Sequence, residues 1–250
     1  MTTRATSDQI CRIDDVVFKG RHDTGGKAHL SASWDGLGAG CPATTPELRP
    51  ILDVLVSRIE EARARHQPGW IVEIGCGHGR WTEWIAMTMK SHHSGFGELR
   101  QKLILLDGSA STLQFTQDHL RSLSLPEPDA MRVCHDGRFT LDRPAEVVFS
   151  FDTFEHYNLK LMNAYFGSVA ECLRAGGRFL ITLACERHPS PAEHARADHL
   201  LGIAVKWSSQ GLKFHSEIQA TLERHFTWAV PEAVLLPVGS DRVFVEFTRK

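Results

Sequence analysis

The sequence predicts an α/β protein whose doubly wound sheet has about seven strands, mostly parallel, with an antiparallel C-terminal strand. Strand-like and helix-like segments alternate over residues 70–184, and such alternation favours parallel strands joined by right-handed crossovers. A glycine-rich turn, residues 75–79, follows the first predicted strand. Residues 226–250 resemble two strands joined by a direct turn at 238–241, which makes the pair antiparallel.

Composition limits the classes of function. The chain has 250 residues, 42% hydrophobic and 23% charged, as expected for one globular domain with a sizeable core. The formal net charge is −2 and no long basic run is present, so nucleic acid is not an expected partner. No apolar run approaches the ~20 residues of a membrane span, and the N-terminus lacks the apolar core of a signal peptide. We therefore expect a cytoplasmic protein without a membrane partner.

The sequence pattern divides the chain into two regions. Residues 1–42 are rich in glycine and small polar residues without clear periodicity, so we expect a loop-rich cap segment. Residues 43–250 form the predicted domain, which opens with a helix capped by Thr45 and carrying Pro46 in its first turn. Apolar residues at helical spacing continue that helix toward the first strand.

Short apolar runs, typical of strands covered on both faces, alternate with amphipathic segments along the domain. The predicted strands are residues 70–74, 102–107, 131–135, 145–151 and 177–184, and the predicted helices are residues 80–90, 109–123 and 158–174. Gly176 and Gly177 are expected to end the last of these helices. Residues 185–212 contain prolines and no clear strand, so we expect a substrate-covering insertion, followed by a helix over 212–225.

The spacing of the cysteines and histidines does not predict a metal site. The six cysteines lack C-x-x-C spacing, which favours free thiols. His188, His194 and His199 lie in the insertion without the H-E-x-x-H spacing of a helical zinc site. We therefore expect no metal.

The turn after the first strand carries the strongest chemical signal. Glycine stands at every second position, at Gly75, Gly77 and Gly79, and Glu73 precedes them. Glycine permits positive φ and the close approach of a ligand, and a turn between a strand and a helix is where nucleotide-like ligands bind. A carboxylate at this place would repel a pyrophosphate. The turn therefore suits a nucleotide-like ligand that carries a positive centre.

With these residues the sequence resembles the class I S-adenosylmethionine-dependent methyltransferases of the small-molecule type. Their first motif, acid-x-G-x-G-x-G, matches residues 73–79, which include Cys76. The segments LILLDGS, CHDGR and VVFSFDTFEHY resemble the second, third and fourth motifs, and LRAGGRFLIT resembles the usual turn into strand five. The resemblance covers about residues 43–250 and implies a Rossmann-like fold with S-adenosyl-L-methionine as cofactor.

The resemblance also implies roles for single residues. Glu73 would lie on the amine side of the cofactor, Asp107 would accept hydrogen bonds from the ribose hydroxyls, and Asp136 would accept one from the adenine amino group. The implied cofactor-binding residues are Glu73, Gly75, Cys76, Gly77, Gly79, Asp107, Gly108, Ser109, Asp136, Gly137, Phe151 and Asp152.

One spacing departs from the expected pattern. Glu73 and Asp107 are 34 residues apart, more than the ~20 typical of a nucleotide-binding unit. We interpret residues 91–101 as a surface loop that accounts for the excess. The alternative is that Asp107 caps the helix that follows it, and Glu73 has a similar capping alternative.

The candidate catalytic pair is Asp152 and His156. If Asp152 begins a helical turn, His156 lies on the same face at i+4. A neutral histidine can remove the proton of a hydroxyl, and a carboxylate can orient the base or the acceptor. The alternatives are that His156 is only a wall residue, or that Glu155 has the role.

We therefore expect methyl transfer to a small-molecule acceptor, with a hydroxyl (O-methylation) as the first choice. N- or C-methyl transfer and a protein or RNA acceptor are the alternatives within the class. Outside it, the alternatives are a nucleotide-binding oxidoreductase and a cofactor-binding module without turnover. The acceptor itself and the oligomeric state, a homo-oligomer included, stay open.

Overall fold

The structure, a computed structural model, describes most of the predicted domain. The described residues are Pro46 and the ranges 48–65, 69–90, 101–186, 205–208, 211–228, 234–235 and 242–250. The predicted N-terminal segment, residues 1–42, and the three histidines of the insertion lie outside these ranges. Among the described residues, no helix has the length and apolar character that spanning a membrane requires.

Within these ranges the chain forms helices and strands in alternation. The α-helices are α1 (Arg49–Ala64), α2 (Arg80–Lys90), α3 (Ala110–Ser122), α4 (Leu159–Cys172) and α5 (Ser216–His225), and a 3-10 helix spans Phe154–His156. The strands are β1 (Trp70–Ile74), β2 (Lys102–Asp107), β3 (Ala130–Val133), β4 (Ala145–Ser150), β5 (Leu173–Glu186), β6 (Val205–Ser208), β7 (Gly211–Phe214), β8 (Phe226–Trp228), β9 (Val234–Leu235) and β10 (Arg242–Arg249).

Seven strands form the main sheet in the order β3-β2-β1-β4-β5-β10-β8. Strands β1 to β5 are parallel to one another, whereas β10 runs antiparallel to both β5 and β8. The predicted fold class is thus confirmed. Strand order reverses between β1 and β4, and in such sheets ligands bind outside the carboxyl ends of the strands at this reversal.

Helices cover both faces of the sheet, which explains why β1 and β4 are mostly apolar and are buried along their whole length. On one face α1 and α2 pack on the strands through Ile51, Leu55 and Ile85. On the other face α4 and α5 do so through side chains such as Phe166 and Ile218. The site at the strand ends therefore rests on two packed layers.

The start of α1 differs from the prediction. The helix begins at Arg49, with Leu48 at the N-cap and a proline, Pro50, in the first turn. Pro46 lies in a turn before the helix, and Thr45 is outside the described residues. Either proline could stand in a first helical turn, and the prediction placed Pro46 there instead of Pro50.

The Gly-Gly pair was predicted to separate α4 from the fifth strand, but the helix ends earlier, at Cys172, and β5 begins directly after it. Gly176 has φ +73°, and the pairing register with β4 shifts beside this segment. The glycines therefore lie in an irregular part of β5, where Gly176 has a positive φ.

The predicted insertion, residues 185–212, contains strands that the sequence pattern did not indicate. Strand β6 pairs antiparallel with β7 and in parallel with the end of β5. Because β7 takes up the first residues of the helix predicted over 212–225, α5 begins only at Ser216, after the His215 cap. Pairing between segments overrides the local helical pattern here.

The C-terminal end has three described strands rather than two. Both β8 and β9 pair antiparallel with β10, so the predicted antiparallel arrangement is confirmed. The turn predicted at 238–241 lies outside the described residues.

Candidate active site

The candidate site lies at the carboxyl ends of β1, β2 and β4. The glycine turn follows β1, Asp107 ends β2, and Phe151 with Asp152 follows β4. Parallel pairing of β1 with both other strands brings these three ends to one edge of the sheet.

The three glycines of the turn have different physical roles. All have positive φ, +71° for Gly75, +52° for Gly77 and +84° for Gly79. A Cβ on Gly75 would lie 2.1 Å from Thr153 Oγ1, and a Cβ on Gly79 would lie 2.9 Å from Thr116 Cγ2. A Cβ on Gly77 would meet no atom within 4 Å. Two glycines thus permit close packing, and Gly77 leaves open space where a ligand can approach.

Hydrogen bonds hold the turn against β2 and α3. Thr116 Oγ1 donates to the carbonyl of Gly77 at 2.7 Å. The Gly77 amide donates to Asp107 Oδ2 at 3.3 Å, and the Ser109 amide donates to Asp107 Oδ1 at 2.9 Å. Because each carboxylate oxygen has two lone pairs, Asp107 keeps acceptor capacity beyond these two bonds. The N-cap of α3 is Ser109 and not Asp107, so the capping alternative for Asp107 is wrong.

Glu73 lies behind the turn and not in the open cleft. It is 2% exposed, and Thr82 Oγ1 in α2 donates to its Oε2 at 2.6 Å. Burial, together with the nearby charge of Asp107, raises the pKa of Glu73 to about 8. The Thr82 hydrogen bond and the charge of Arg80 lower this pKa and offset part of the rise. Burial therefore favours the protonated form of this carboxyl.

Cys76 lies between the turn and α3. Its Sγ is 3.8 Å from Asp107 Oδ2 and 3.8 Å from Thr116 Oγ1. Burial raises the thiol pKa well above its usual range, and the negative charges of Asp107 and Glu73 raise it further. The thiol is therefore neutral and is not a nucleophile.

The third motif lies beyond β3. Asp136 is exposed, and its Oδ1 accepts the amide proton of Arg138 at 3.0 Å within the same turn. Gly137 is buried with φ +74°, and a Cβ there would lie 2.9 Å from the amide nitrogen of Tyr165 in α4. Gly137 thus allows α4 to pack closely, and the side chain of Asp136 is exposed.

The fourth motif has an unusual backbone. Asp152 has φ +54°, and its amide donates to Thr182 Oγ1 at 2.8 Å. The 3-10 helix starts only after Thr153, so the helical turn expected to begin at Asp152 is not formed there, because a left-handed residue cannot belong to it. His156 ends this helix with an exposed side chain, and Glu155 is fully buried. Left-handed non-glycine residues are uncommon and cluster at functional sites.

Two residues at the start of α2, Arg80 and Trp81, contact the fourth motif. The guanidinium Cζ of Arg80 lies 5.3 Å from the ring centroid of Phe151, and its Nη2 is 3.9 Å from Asp152 Oδ2. Trp81 is buried and packs on Phe149 and Phe151. A sequence signal for Arg80 existed: a cation in the first turn of a helix opposes the helix dipole and so needs another reason to be there.

Solved structures of other proteins have a similar fold. No protein-family profile matches this chain, and no curated protein matches its sequence. The N-methyltransferase NodS from Bradyrhizobium japonicum WM9, solved with S-adenosyl-L-homocysteine, is 12% identical over 82% of this chain and 89% of that chain, with a TM-score of 0.55.

Two other solved structures are similar. Magnesium protoporphyrin IX methyltransferase (ChlM) from Synechocystis PCC 6803 with bound S-adenosylmethionine is 13% identical over 100% of both chains, with a TM-score of 0.56. An S-adenosylmethionine-dependent methyltransferase from Clostridium acetobutylicum ATCC 824 is 11% identical over 88% of this chain and 98% of that chain, also with a TM-score of 0.56. At these identities the similarity concerns the fold.

Proposed function

We propose that this chain, which has the Rossmann-like fold of the class I methyltransferases, is an S-adenosylmethionine-dependent methyltransferase. The observation that carries the proposal is the open space in front of Gly77, directly beside a carboxylate that the Gly77 and Ser109 amides hold in place. A backbone without a Cβ and an oriented acid at the next strand end fit a nucleoside with a ribose diol.

This arrangement supports the proposed roles of individual cofactor-binding residues. Gly77 lets the cofactor approach the turn, Asp107 accepts from the ribose hydroxyls, and Glu73 supplies a carboxyl behind the turn on the amine side. Gly75 and Gly79 act by keeping the turn packed. The remaining positions in the proposed site are Cys76, Gly108, Ser109, Asp136, Gly137, Phe151 and Asp152.

Bound S-adenosylmethionine supplies a methyl group activated by its sulfonium. The protein's part is to hold acceptor and methyl in line near ~3 Å with water excluded, which supplies several kcal/mol of the rate enhancement. We propose a small-molecule hydroxyl as acceptor. Its oxygen would bond to the methyl carbon as the methyl–sulfur bond breaks and S-adenosylhomocysteine leaves, His156 would take the hydroxyl proton, and Asp152 would orient the acceptor. The left-handed bend at Asp152 directs the chain from β4 into the short helix that ends at His156.

Asp107→Asn is expected to weaken the binding of S-adenosylhomocysteine about 10- to 100-fold, because it removes charge-assisted hydrogen bonds. Isothermal titration calorimetry measures the effect. Asp118→Asn is the matched control, because Asp118 is an exposed residue of α3 paired with Arg121. Unchanged affinity in Asp107→Asn would contradict the ribose role.

His156→Ala is expected to keep the affinity for S-adenosylhomocysteine while turnover of a hydroxyl acceptor falls by about 10²- to 10⁴-fold, since general-base assistance is lost. Release of S-adenosylhomocysteine with a panel of hydroxyl, amine and carbon acceptors reports both turnover and the acceptor atom. If the variant turns over its hydroxyl acceptor like the wild type, His156 is not the base.

The same titrations separate the other classes of function. Binding of NADH without S-adenosylmethionine would favour the oxidoreductase alternative. Binding of S-adenosylmethionine without turnover of any acceptor would favour a cofactor-binding module.

A further inference from the structure

Thr182 places a buried hydroxyl in an otherwise apolar part of β5. The residue is fully buried, and so are its neighbours along the chain, Ile181 and Leu183. A hydroxyl removed from water costs free energy unless it forms a hydrogen bond. Thr182 Oγ1 accepts the amide proton of Asp152 at 2.8 Å. The side chain therefore binds the backbone of the fourth motif as well as packing in the sheet.

This hydrogen bond lies where the pairing of β4 with β5 ends. Ser150, the last residue of β4, pairs with Ile181 of β5. Asp152 follows two residues later, after the strand and before the 3-10 helix. The chain leaves the sheet here, so the regular ladder of backbone hydrogen bonds no longer sets its direction. Thr182 supplies a bond to β5 at this irregular step.

The backbone conformation that Thr182 supports is unfavourable by itself. Asp152 has φ +54°, in the left-handed region that residues other than glycine rarely adopt. Such a conformation persists only where its surroundings hold it. The ion pair with Arg80, at 3.9 Å, acts on the side chain of Asp152, whereas Thr182 binds its amide. The threonine contact therefore acts directly on the strained backbone.

The bend at Asp152 determines where the next residues lie. The 3-10 helix starts two residues later, and the His156 amide donates to the Thr153 carbonyl at 3.1 Å within it. The end of β4 is tied to β1, because Ser150 Oγ donates to the Ile74 carbonyl at 2.8 Å. With the strand end fixed, a change of φ at Asp152 would move the 3-10 helix, and His156 with it, relative to the glycine turn.

We propose that Thr182 is a positioning residue for methyl transfer, because its hydroxyl holds the left-handed bend at Asp152 and thereby sets the position of His156. Thr182 acts through these two residues and takes no part in the proton transfer itself. Its effect on methyl transfer rests on the proposed function, whereas its control of the bend does not.

The test compares variants of the full chain. Thr182→Val keeps the shape of the side chain and removes the hydroxyl, and Thr182→Ser keeps the hydroxyl. Thr248→Val is the matched control, because the Thr248 hydroxyl also accepts a hydrogen bond, from Arg178 Nη1 at 2.6 Å, but away from the carboxyl ends of the strands. NMR-detected hydrogen exchange of the Asp152 and His156 amides reports on the bend directly.

In Thr182→Val, the amides of Asp152 and His156 are expected to exchange about tenfold faster than in the wild type, because the bend loses its hydrogen bond. Thr182→Ser and Thr248→Val should stay close to the wild-type rates at these two positions. Amides of β1 and β2 serve as an internal reference, since a general loss of stability would speed their exchange as well.

Asp152→Gly shows whether left-handed strain is the cause. Glycine adopts positive φ without support, so adding Thr182→Val to Asp152→Gly should change the exchange of the His156 amide by less than about twofold. A tenfold change in this background as well would contradict the role of Thr182 in holding the bend.

Methyl transfer tests the positioning role. Thr182→Val should bind S-adenosylhomocysteine with nearly the wild-type affinity in calorimetry, because Gly77 and Asp107 are unchanged. Its kcat should fall about 10- to 100-fold with the hydroxyl compound that the acceptor panel identifies, since the reacting groups are misplaced. Thr182→Ser should restore kcat. A hydroxyl with only a structural role would lower the folded fraction and leave kcat per folded molecule unchanged.

Three further results would overturn the inference. A wild-type Asp152 amide that exchanges as fast as in an unfolded chain shows that the bond is not formed. Equally fast exchange in Thr182→Val and Thr182→Ser assigns the effect to packing and not to the hydroxyl. Faster exchange in Thr182→Val with an unchanged kcat shows that the bend does not control methyl transfer.

Failure of the proposed function gives a different result. A wild-type protein that does not bind S-adenosylmethionine, or that turns over no acceptor, contradicts the proposed function and with it the role of Thr182 in methyl transfer. The exchange rates then still decide whether Thr182 holds the bend at Asp152.

Discussion

Gly75→Ala is expected to lower the free energy of unfolding by about 2–5 kcal/mol, the sum of left-handed strain and overpacking. The new Cβ would lie 2.1 Å from Thr153 Oγ1 and 2.4 Å from its Cγ2, at φ +71°. Thr153 is buried, and its hydroxyl lies within 3.4 Å of the Ile74, Gly75 and Phe151 carbonyls, so it cannot move aside without losing contacts. Urea unfolding with an unchanged m-value measures the loss.

Two further variants separate the causes. Gly77→Ala introduces strain at φ +52° with no atom within 4 Å of the Cβ, so we expect a loss of only about 1–2 kcal/mol. Its main effect is weaker binding of S-adenosylhomocysteine, because the methyl enters the open space. Adding Thr153→Ala to Gly75→Ala removes the two nearest atoms and should restore part of the stability. The packing explanation fails if Gly75→Ala is no less stable than Gly77→Ala.

The free energy of unfolding of the ligand-free protein is expected to fall as pH rises from about 4.5 to about 8, the window set by the pKa of Glu73. Across this window the native state binds more protons than the unfolded state, so stability decreases with pH. The difference between the two pKa values corresponds to at most about 5 kcal/mol from this residue. The physical cause is burial, which disfavours the charged carboxylate more than the Thr82 hydrogen bond favours it.

Glu73→Gln tests the origin of this slope. The amide oxygen can still accept from Thr82 Oγ1 but carries no titrating group, so urea unfolding at several pH values should give a flatter profile than the wild type. Some slope should remain, because burial also raises the pKa of Glu146, which pairs with Arg174 at 2.8 Å. Parallel profiles for the wild type and Glu73→Gln would show that Glu73 titrates normally.

Local sequence patterns predicted much of the fold because strands alternate with helices that cover both faces of the sheet. A strand with helices on both faces is mostly apolar, as β1 and β4 are, and such a segment is visible in the sequence without any partner. The cap of α3 at Ser109 is equally local. The β6–β7 hairpin escaped prediction because its strands are defined by pairing with each other and with β5, and the chain around them has no strand pattern.

The sequence alone determined which residues stand at the carboxyl ends of the strands: the glycine turn, Asp107, and the segment from Phe151 to His156. Tertiary structure decided what each of them does. Gly75 and Gly79 lie close to Thr153 and Thr116, whereas Gly77 has no such contact. Burial beneath α2 raises the pKa of Glu73. The left-handed φ of Asp152 is also set by its surroundings. The physical reason is that spacing along the chain records local geometry, whereas burial and the distance between side chains arise only when β1, β2 and β4 lie side by side.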